Sequence, residues 1–448
     1  YADTLESALV QAYQNNPTLN SQRAAVRATD EGVPTALSGY RPKIAVTASG
    51  GQTSQSATSV ANPGRPPGTP ATYLTQSGYN SPYGAGATIT QTIFNGFQTA
   101  NRTRQAEAQV LAARATLQLT EQTVLLNAVV AYMNLLRDSA ILDLQRRNVE
   151  VVQEQLRQIR DRFNVGEVTR TDVAQSESRL AAGRSQVLTA ESNFKASGAT
   201  YRQVIGSNPG KLNAATPVDR FSPRDLNGAV GSAGAQHPSV VTAQFNIDVA
   251  QMQVKVAEGA LYPTLSVQGA VNKNFMSTTS LNTVESYNGS ILGQLSVPIY
   301  QGGAEYSAIR QAKETLGQKR LDFDVSRDQV RQTTVQSWGQ LEAAKANIDA
   351  TTAQVQAAEI ALNGVREEAR VGQRTTLDVL NAQQELVNAR VALVTAQRDR
   401  VVASYTLLAA VGRLSPQVLG LHVPVYNATV HYEQVRDSWA GVRTPDGR

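Results

Sequence analysis

The residue types that most often carry enzyme chemistry are few and scattered in this sequence. Its histidines, His237, His422 and His431, are far apart and lack the spacing of metal ligands. The carboxylate pair Glu367-Glu368 lies in a helical region and is typical of a solvated helix face. The chain has no cysteine, no nucleophile motif and no glycine-rich phosphate loop between a strand and a helix. We therefore predict no catalytic, cofactor-binding or metal-binding residues, and an enzyme is not favoured.

Two aspartates occupy positions that suggest a structural role. Asp172 and Asp378 each lie near the start of a predicted helix, behind Thr169 and Thr375 respectively. A threonine suits the N-cap of a helix, and negative charge is favourable in the first turn. From the residues alone, helix capping is the favoured interpretation of both aspartates.

The segments around these aspartates are two copies of one pattern. Residues 163–173 recur as 369–379, and residues 89–96 recur as 295–302, both at an offset of 206. Further upstream, Asn16-Pro17 matches His237-Pro238 at an offset of 221, so the first copy has 15 extra residues. These residues fall in the proline-rich region 51–83, which we interpret as a long exposed loop.

Each copy predicts the order helix, strand, loop, strand, long helix, turn and helix. The predicted units are a first repeat 1–206, a linker 207–234, a second repeat 235–411 and a C-terminal segment 412–448. The linker and the C-terminal segment are expected to form an irregular equatorial belt where short helices meet end to end. The predicted strands are about 40–50, 84–94, 261–272 and 288–299. Residues 97–162 contain no proline, and as one helix they would extend for roughly 100 Å, with apolar spacings typical of coiled coils.

The alternation of the predicted strands fits either of two environments. It suits a half-buried strand of a soluble sheet, and equally a strand with lipid on one side and water on the other. The sequence contains no stretch of about 18 apolar residues, so any membrane span is expected to be made of strands. Four strands cannot close a barrel, so a membrane span requires an oligomer. Two copies would supply eight strands with an interior filled by side chains, whereas three copies would supply twelve and leave room for a water-filled bore.

The charge pattern gives no support for a nucleic-acid partner. The formal charge is +5 and the isoelectric point about 9.3. However, lysine and arginine are scattered among aspartate and glutamate rather than grouped with aromatic residues, which is typical of solvated helices.

Taken together, these features resemble the TolC family of outer-membrane efflux proteins. The matching segments are Ala8-Leu9 with Asn16-Pro17, the strand ends Ile93–Gly96 and Pro298–Gly302, and the turns 165–173 and 371–379. The resemblance covers nearly the whole chain and weakens after about Arg413. It implies a mainly α fold with membrane β structure: a homotrimer whose twelve-stranded β-barrel, with four strands per chain, continues as a coiled-coil tunnel of twelve helices.

The resemblance also implies a location, a function and partners. The protein would be an exit duct in the outer membrane of a Gram-negative bacterium, extending into the periplasm and serving multidrug efflux, type I protein secretion or both. The protein would contact outer-membrane lipid, a periplasmic adaptor protein and an inner-membrane transporter, with drugs or proteins as cargo. The resemblance implies no cofactor.

Site residues follow from the resemblance at the periplasmic end. Arg374 and Asp172 would be partners in links that hold the aperture shut, and Asp378 would contribute to a ring of aspartates. The hairpin tips that an adaptor would contact are Val165, Gly166, Val371 and Gly372. The family's best-studied member has a tyrosine where this chain has Ala369 and a second ring aspartate where it has Asn381, which predicts a different latch and about half the ring charge.

A passive trimeric coiled-coil stalk or adhesin with a β head is the alternative function. A stalk needs an apolar seam along one helix face. The predicted helix 97–162 also carries apolar residues beside its main series, among them Leu126, Val130 and Leu142, which favours neighbours on two sides. The duplicated strand pairs have no use in a stalk, so the duct is favoured.

Overall fold

The computed structural model describes residues 3–61, 63–64, 66–277, 283–445 and 447. The helices are α1 (Leu5–Asn15), α2 (Pro17–Asp30), α3 (Gly32–Leu37), α4 (Gln98–Asn164), α5 (Arg170–Ile205), α6 (Leu226–Gln236), α7 (Pro238–Gly259), α8 (Ala304–Arg370), α9 (Thr376–Ala410) and α10 (Thr429–Val435). The strands are β1 (Lys43–Gly50), β2 (Thr53–Val60), β3 (Tyr73–Asn80), β4 (Tyr83–Asn95), β5 (Thr264–Ser277) and β6 (Thr283–Ser296).

The chain divides into two compact units, and the helices α4 and α8 contribute residues to both. The first unit contains Tyr1–Thr29, Gln109–Ile247 and Lys319–Glu433. The second contains Asp30–Ala108, Asp248–Gln318 and Gln434–Arg448. The α4 and α8 helices have 67 residues each, and neither contains a proline, which is what allows a helix of this length to continue unbroken.

The second unit is organised by an antiparallel sheet in the order β1-β4-β5-β6. Its register pairs Ile44 with Ile89, Ile89 with Gly269, and Gly269 with Ile291. Directly paired residues lie on the same face of a sheet, so this register collects the apolar side chains on one face. In the single chain, strands β1 and β6 are the two edges of this sheet.

The segment expected to be a long loop contains a second, two-stranded sheet. Strands β2 and β3 pair antiparallel from Thr53↔Asn80 to Val60↔Tyr73, and Gly51 N–H donates to the Pro82 carbonyl at 3.0 Å. Nearly all of its side chains are exposed. The loop prediction was therefore wrong for these residues, because the pairing rests on backbone hydrogen bonds and leaves no apolar face to reveal it.

The first unit has a core built around the middle of α4. Leu125, Val129 and Tyr132, which share the predicted coiled-coil spacing, are fully buried. They pack in one cluster with residues of α1, α5 and α9 and with Leu414 beyond α9. The α4 helix also contains a stretch apolar enough, by length and composition, to cross a membrane, although none was expected from the sequence. Half of that stretch is buried in protein, as in an ordinary core helix.

The single helix predicted at the start of the first copy is three shorter helices, α1, α2 and α3. It breaks at Asn16, where the side-chain oxygen accepts hydrogen bonds from the Thr18 and Leu19 N–H groups at 2.9 and 3.3 Å. Pro17 follows as the first helical residue, the position that proline prefers. The matching dipeptide His237-Pro238 makes the same break between α6 and α7, and there the Ser239 N–H lies 3.2 Å from His237 Nδ1.

Replacing Tyr132 with phenylalanine should destabilise the first unit by about 1–3 kcal/mol, because it removes the buried polar partner of another segment. The Tyr132 hydroxyl accepts from Asn213 N–H at 3.1 Å and lies 2.7 Å from the Asn213 carbonyl oxygen. Denaturant unfolding measures the change. Tyr306→Phe is the control: Tyr306 is half exposed, and a change below about 0.5 kcal/mol is expected. Equal losses in both variants would contradict the prediction.

Candidate functional site

The predicted hairpin tips lie at two sharp turns between long antiparallel helices. Gly166 follows α4 with φ +83°, and Gly372 follows α8 with φ +80°. These left-handed conformations are strained for residues with a Cβ, which explains glycine at both turns. Beside them, Val165 and Val371 are each 72% exposed, so each tip presents an apolar side chain to its surroundings.

The first helical turn after each tip is closed by the same capping box. The Thr169 N–H and hydroxyl both donate to Asp172 Oδ2, at 2.9 and 2.7 Å, and the Asp172 N–H donates to Thr169 Oγ1 at 3.3 Å. Thr375 and Asp378 repeat these contacts at 2.9, 2.8 and 3.3 Å. Both aspartates are therefore helix caps, the interpretation favoured from the residues alone.

Hydrogen bonding lowers the pKa of both carboxyl groups. For Asp172 the largest cause is the Thr169 hydroxyl, and for Asp378 it is the Thr375 backbone N–H. A nearby arginine adds a smaller attraction in each case, from Arg162 and Arg374 respectively. Both carboxylates therefore stay charged to a lower pH than an ordinary aspartate does.

Acid should loosen the hairpin tips. Because the folded pKa of each aspartate lies below its ordinary value of 3.8, the capping contribution is complete above that pH and is lost as the pH falls through the lowered pKa. We expect amide hydrogen exchange in the first turns of α5 and α9 to rise, relative to the intrinsic rate, below about pH 4. The variant Asp172→Asn/Asp378→Asn should lose this pH dependence, and an unchanged profile would contradict the assignment.

The two tips carry ion pairs of reversed sign. At the first tip, Arg162 Nε donates to Glu167 Oε2 at 2.9 Å. At the second, Glu368, which stands 206 residues after Arg162, accepts from Arg374 Nε at 2.8 Å. Glu368 is also the main reason why the pKa of Arg374 is raised. Within one chain, then, Arg374 pairs with Glu368 and Asp172 with Thr169, and the link between Arg374 and Asp172 stays a prediction.

Asn381 has a contact that the sequence did not reveal. Its Oδ1 accepts from Arg179 Nη2 at 2.6 Å, which joins the returning helices α5 and α9. The family resemblance singled out Asn381 only because it stands where a second ring aspartate was expected. Nothing in the local pattern indicates this partner, since the two residues are 202 positions apart.

Ala369 lines a cavity between the tips. The cavity has a volume of about 380 Å³ and is bounded by α4, the end of α8 and the start of α9. Its walls include Ile159, Arg162 and Leu380. The small side chain of Ala369 therefore stands beside open space where a tyrosine was expected from the resemblance.

Metal-binding geometry is not found in the described ranges. Within them, no group of three or more histidine, aspartate or glutamate side chains is placed to hold a metal ion. The candidate site consists of the two capping boxes, the two ion pairs and the exposed valines at the tips.

Comparison with known proteins identifies the family. A family model described as outer membrane efflux protein matches residues 8–207 and 229–413. The outer membrane efflux protein BepC of Brucella suis biovar 1 is 43% identical over 448 residues, covering 100% of this chain and 93% of BepC. Outer membrane protein TolC of Escherichia coli K12 is 28% identical over 369 residues, covering 78% of this chain and 74% of TolC.

Solved structures show the same fold. The crystal structure of the Campylobacter jejuni CmeC outer membrane channel matches with a TM-score of 0.74 at 18% identity, covering 97% of this chain and 89% of CmeC. The chain thus belongs to the outer membrane efflux protein family, has the TolC-like channel fold and is located in the outer membrane. The predictions of family, fold and location are confirmed.

Proposed function

We propose that three copies of this chain form an outer-membrane exit duct that is gated at its hairpin tips. The open edges of the four-stranded sheet carry this proposal. Edges β1 and β6 have backbone groups without a strand partner in the single chain, and such edges are not tolerated in lipid. Three sheets joined edge to edge would close a twelve-stranded barrel with room for a water-filled bore.

The partners of the duct are a periplasmic adaptor and an inner-membrane transporter. In this proposal the duct itself carries out no reaction, and the energy for export comes from the transporter. The exposed Val165 and Val371 at the tips, with Gly166 and Gly372 shaping the turns, suit contact with an adaptor. The predicted latch, in which Arg374 of one copy meets Asp172 of a neighbouring copy, would hold the aperture closed until the adaptor binds, and Asp378 would face the opening.

The proposed cargo rests on similarity to a relative. The relative BepC is named an efflux protein, and its 43% identity supports small molecules as the first cargo class, with secreted proteins as the other. Deleting the gene in its own host should raise sensitivity to several antibiotics, and the wild-type gene should restore resistance. Unchanged sensitivity with loss of a secreted protein would favour protein export.

Conductance of the purified protein in a planar bilayer tests the duct itself. We expect discrete, small current steps, because a resting gate narrows the water-filled path. A channel should also show one current level per inserted trimer. The absence of steps despite confirmed insertion would overturn the duct and favour the stalk.

A further inference from the structure

The junction between strands and helices in the second unit contains a cavity with an uncommon lining. Its volume is about 310 Å³. The lining residues include Gly96, directly after β4, and Tyr262, two residues before β5. Arg104 and Lys255 line it together with the aromatic residues Phe97 and Tyr262. We infer that this cavity binds the headgroup of an anionic phospholipid from the inner leaflet of the outer membrane.

The charges of the cavity favour an anion. Its one carboxylate, Glu258, is already paired with Lys313, at 3.3 Å between Oε1 and Nζ. Arg104 and Lys255 make no ion pair among the residues that the structure describes. Two cations that converge on one cavity, whose carboxylate is paired with a third cation, attract a phosphate group.

The aromatic side chains indicate which part of a lipid lies beside them. Phe97 and Tyr262 are 62% and 52% exposed, although each is large and apolar enough to prefer burial. Aromatic residues of this kind are typical of the boundary between lipid tails and water. A headgroup held by the cations would place its acyl chains against these rings.

Polar side chains elsewhere on α4 and α7 bond to one another. There, Gln105 Nε2 donates to Gln253 Oε1 at 3.0 Å, and Arg102 pairs with Gln98 at 2.9 Å. These side chains satisfy one another and need no bound anion.

The distance of Arg104 from the end of the strands also fits a lipid headgroup. Arg104 lies eight residues after Gly96, so its backbone stands about 12 Å beyond the end of β4 along the helix axis. A long cationic side chain can extend back toward the membrane surface while its stem packs on apolar neighbours. The glycines fix this geometry, since a Cβ at Gly259 would lie only 2.7 Å from the Gly96 carbonyl oxygen.

Native mass spectrometry of the full protein in detergent tests the inference. The probes are phosphatidylglycerol and phosphatidylcholine with identical acyl chains. The wild type should prefer phosphatidylglycerol by about tenfold, and Arg104→Gln/Lys255→Gln should reduce that preference to about onefold. The matched control Arg102→Gln/Arg310→Gln removes two exposed cations from the same region and should retain the wild-type preference.

Two further variants keep the test decisive. Arg104→Lys/Lys255→Arg preserves the charges and should retain the preference. If the double glutamine variant fails to fold, judged by circular dichroism, Lys255→Gln alone should still lower the preference about threefold. Equal preference in wild type and the glutamine variants would overturn the inference, as would displacement of the lipid by millimolar inorganic phosphate, which would assign a free-anion site.

This inference depends on the outer-membrane location and not on the gate. Lipid binding is read from mass, whereas the duct is read from conductance. Conductance without a preference for phosphatidylglycerol would contradict the lipid site only. Binding of phosphatidylglycerol without conductance would contradict the duct only.

Discussion

Replacing Asp172 with asparagine and Arg374 with glutamine should increase the open population of the duct by between about threefold and about a hundredfold. Three symmetric copies of an exposed link, each worth about 0.2–1 kcal/mol, would bias the closed state by about 0.6–3 kcal/mol. Asparagine keeps an oxygen that can accept from the Thr169 N–H, so a weaker, neutral cap remains while the charge is lost. Single-channel recording gives the open fraction and the step size directly.

The matched control for this variant is Glu368→Gln. It removes the partner that Arg374 has within its own chain, at 2.8 Å, and leaves both proposed latch residues in place. Its open population should stay at or below that of the wild type, because Arg374 becomes freer to meet Asp172 of a neighbouring copy. A rise equal to that of the double variant would show that general loss of tip charge opens the duct, and the latch assignment would fail.

Substituting alanine for Gly96 should destabilise the junction between β4 and α4 by about 2–5 kcal/mol. Gly96 has φ +65°, which costs a residue with a Cβ about 1–2 kcal/mol. The added Cβ would also collide with the Gly259 carbonyl oxygen and lie 2.8 Å from Tyr262 Cβ, and such overpacking typically costs about 1–3 kcal/mol. Thermal unfolding and the yield of protein in the outer-membrane fraction measure the loss.

Gly293→Ala provides the comparison for this effect. Gly293 lies in β6, has no left-handed φ, and nothing lies within 4 Å of a Cβ added there. Its unfolding midpoint should stay close to that of the wild type. If Gly96→Ala unfolded at the same temperature as Gly293→Ala, the close approach of Gly96 and Gly259 would have no energetic importance.

Local signals explain why the helices and tips could be predicted. The absence of proline and the three-and-four spacing of apolar residues indicated the long helices, and α4 and α8 each extend for 67 residues. The turns and caps at the tips depend only on residues close together in the sequence. They are formed by glycine at positions 166 and 372 and by the pairs Thr169/Asp172 and Thr375/Asp378. A sequence therefore reveals such turns and caps without knowledge of the surrounding fold.

Features that depend on partners distant in sequence were missed. The β2–β3 pairing has no apolar face, so the alternation that marks other strands carries no information there. The contact between Arg179 and Asn381 joins residues that only the packing of α5 against α9 brings together. Within a single chain Arg374 pairs with Glu368, six residues away, and its predicted link to Asp172 stays a prediction. The predicted repeat boundaries stay predictions.

The reversed ion pairs of the two tips have a consequence for any partner of the duct. Both tips share a backbone, a cap and an exposed valine, yet arginine at 162 faces glutamate at 167, while glutamate at 368 faces arginine at 374. A trimer would thus present six tips of equal shape in two alternating chemical kinds. A partner ring of six identical sites would meet two kinds of tip, so its subunits would make two different sets of contacts. A partner ring with two alternating kinds of site would instead match the tips in alternate angular settings only.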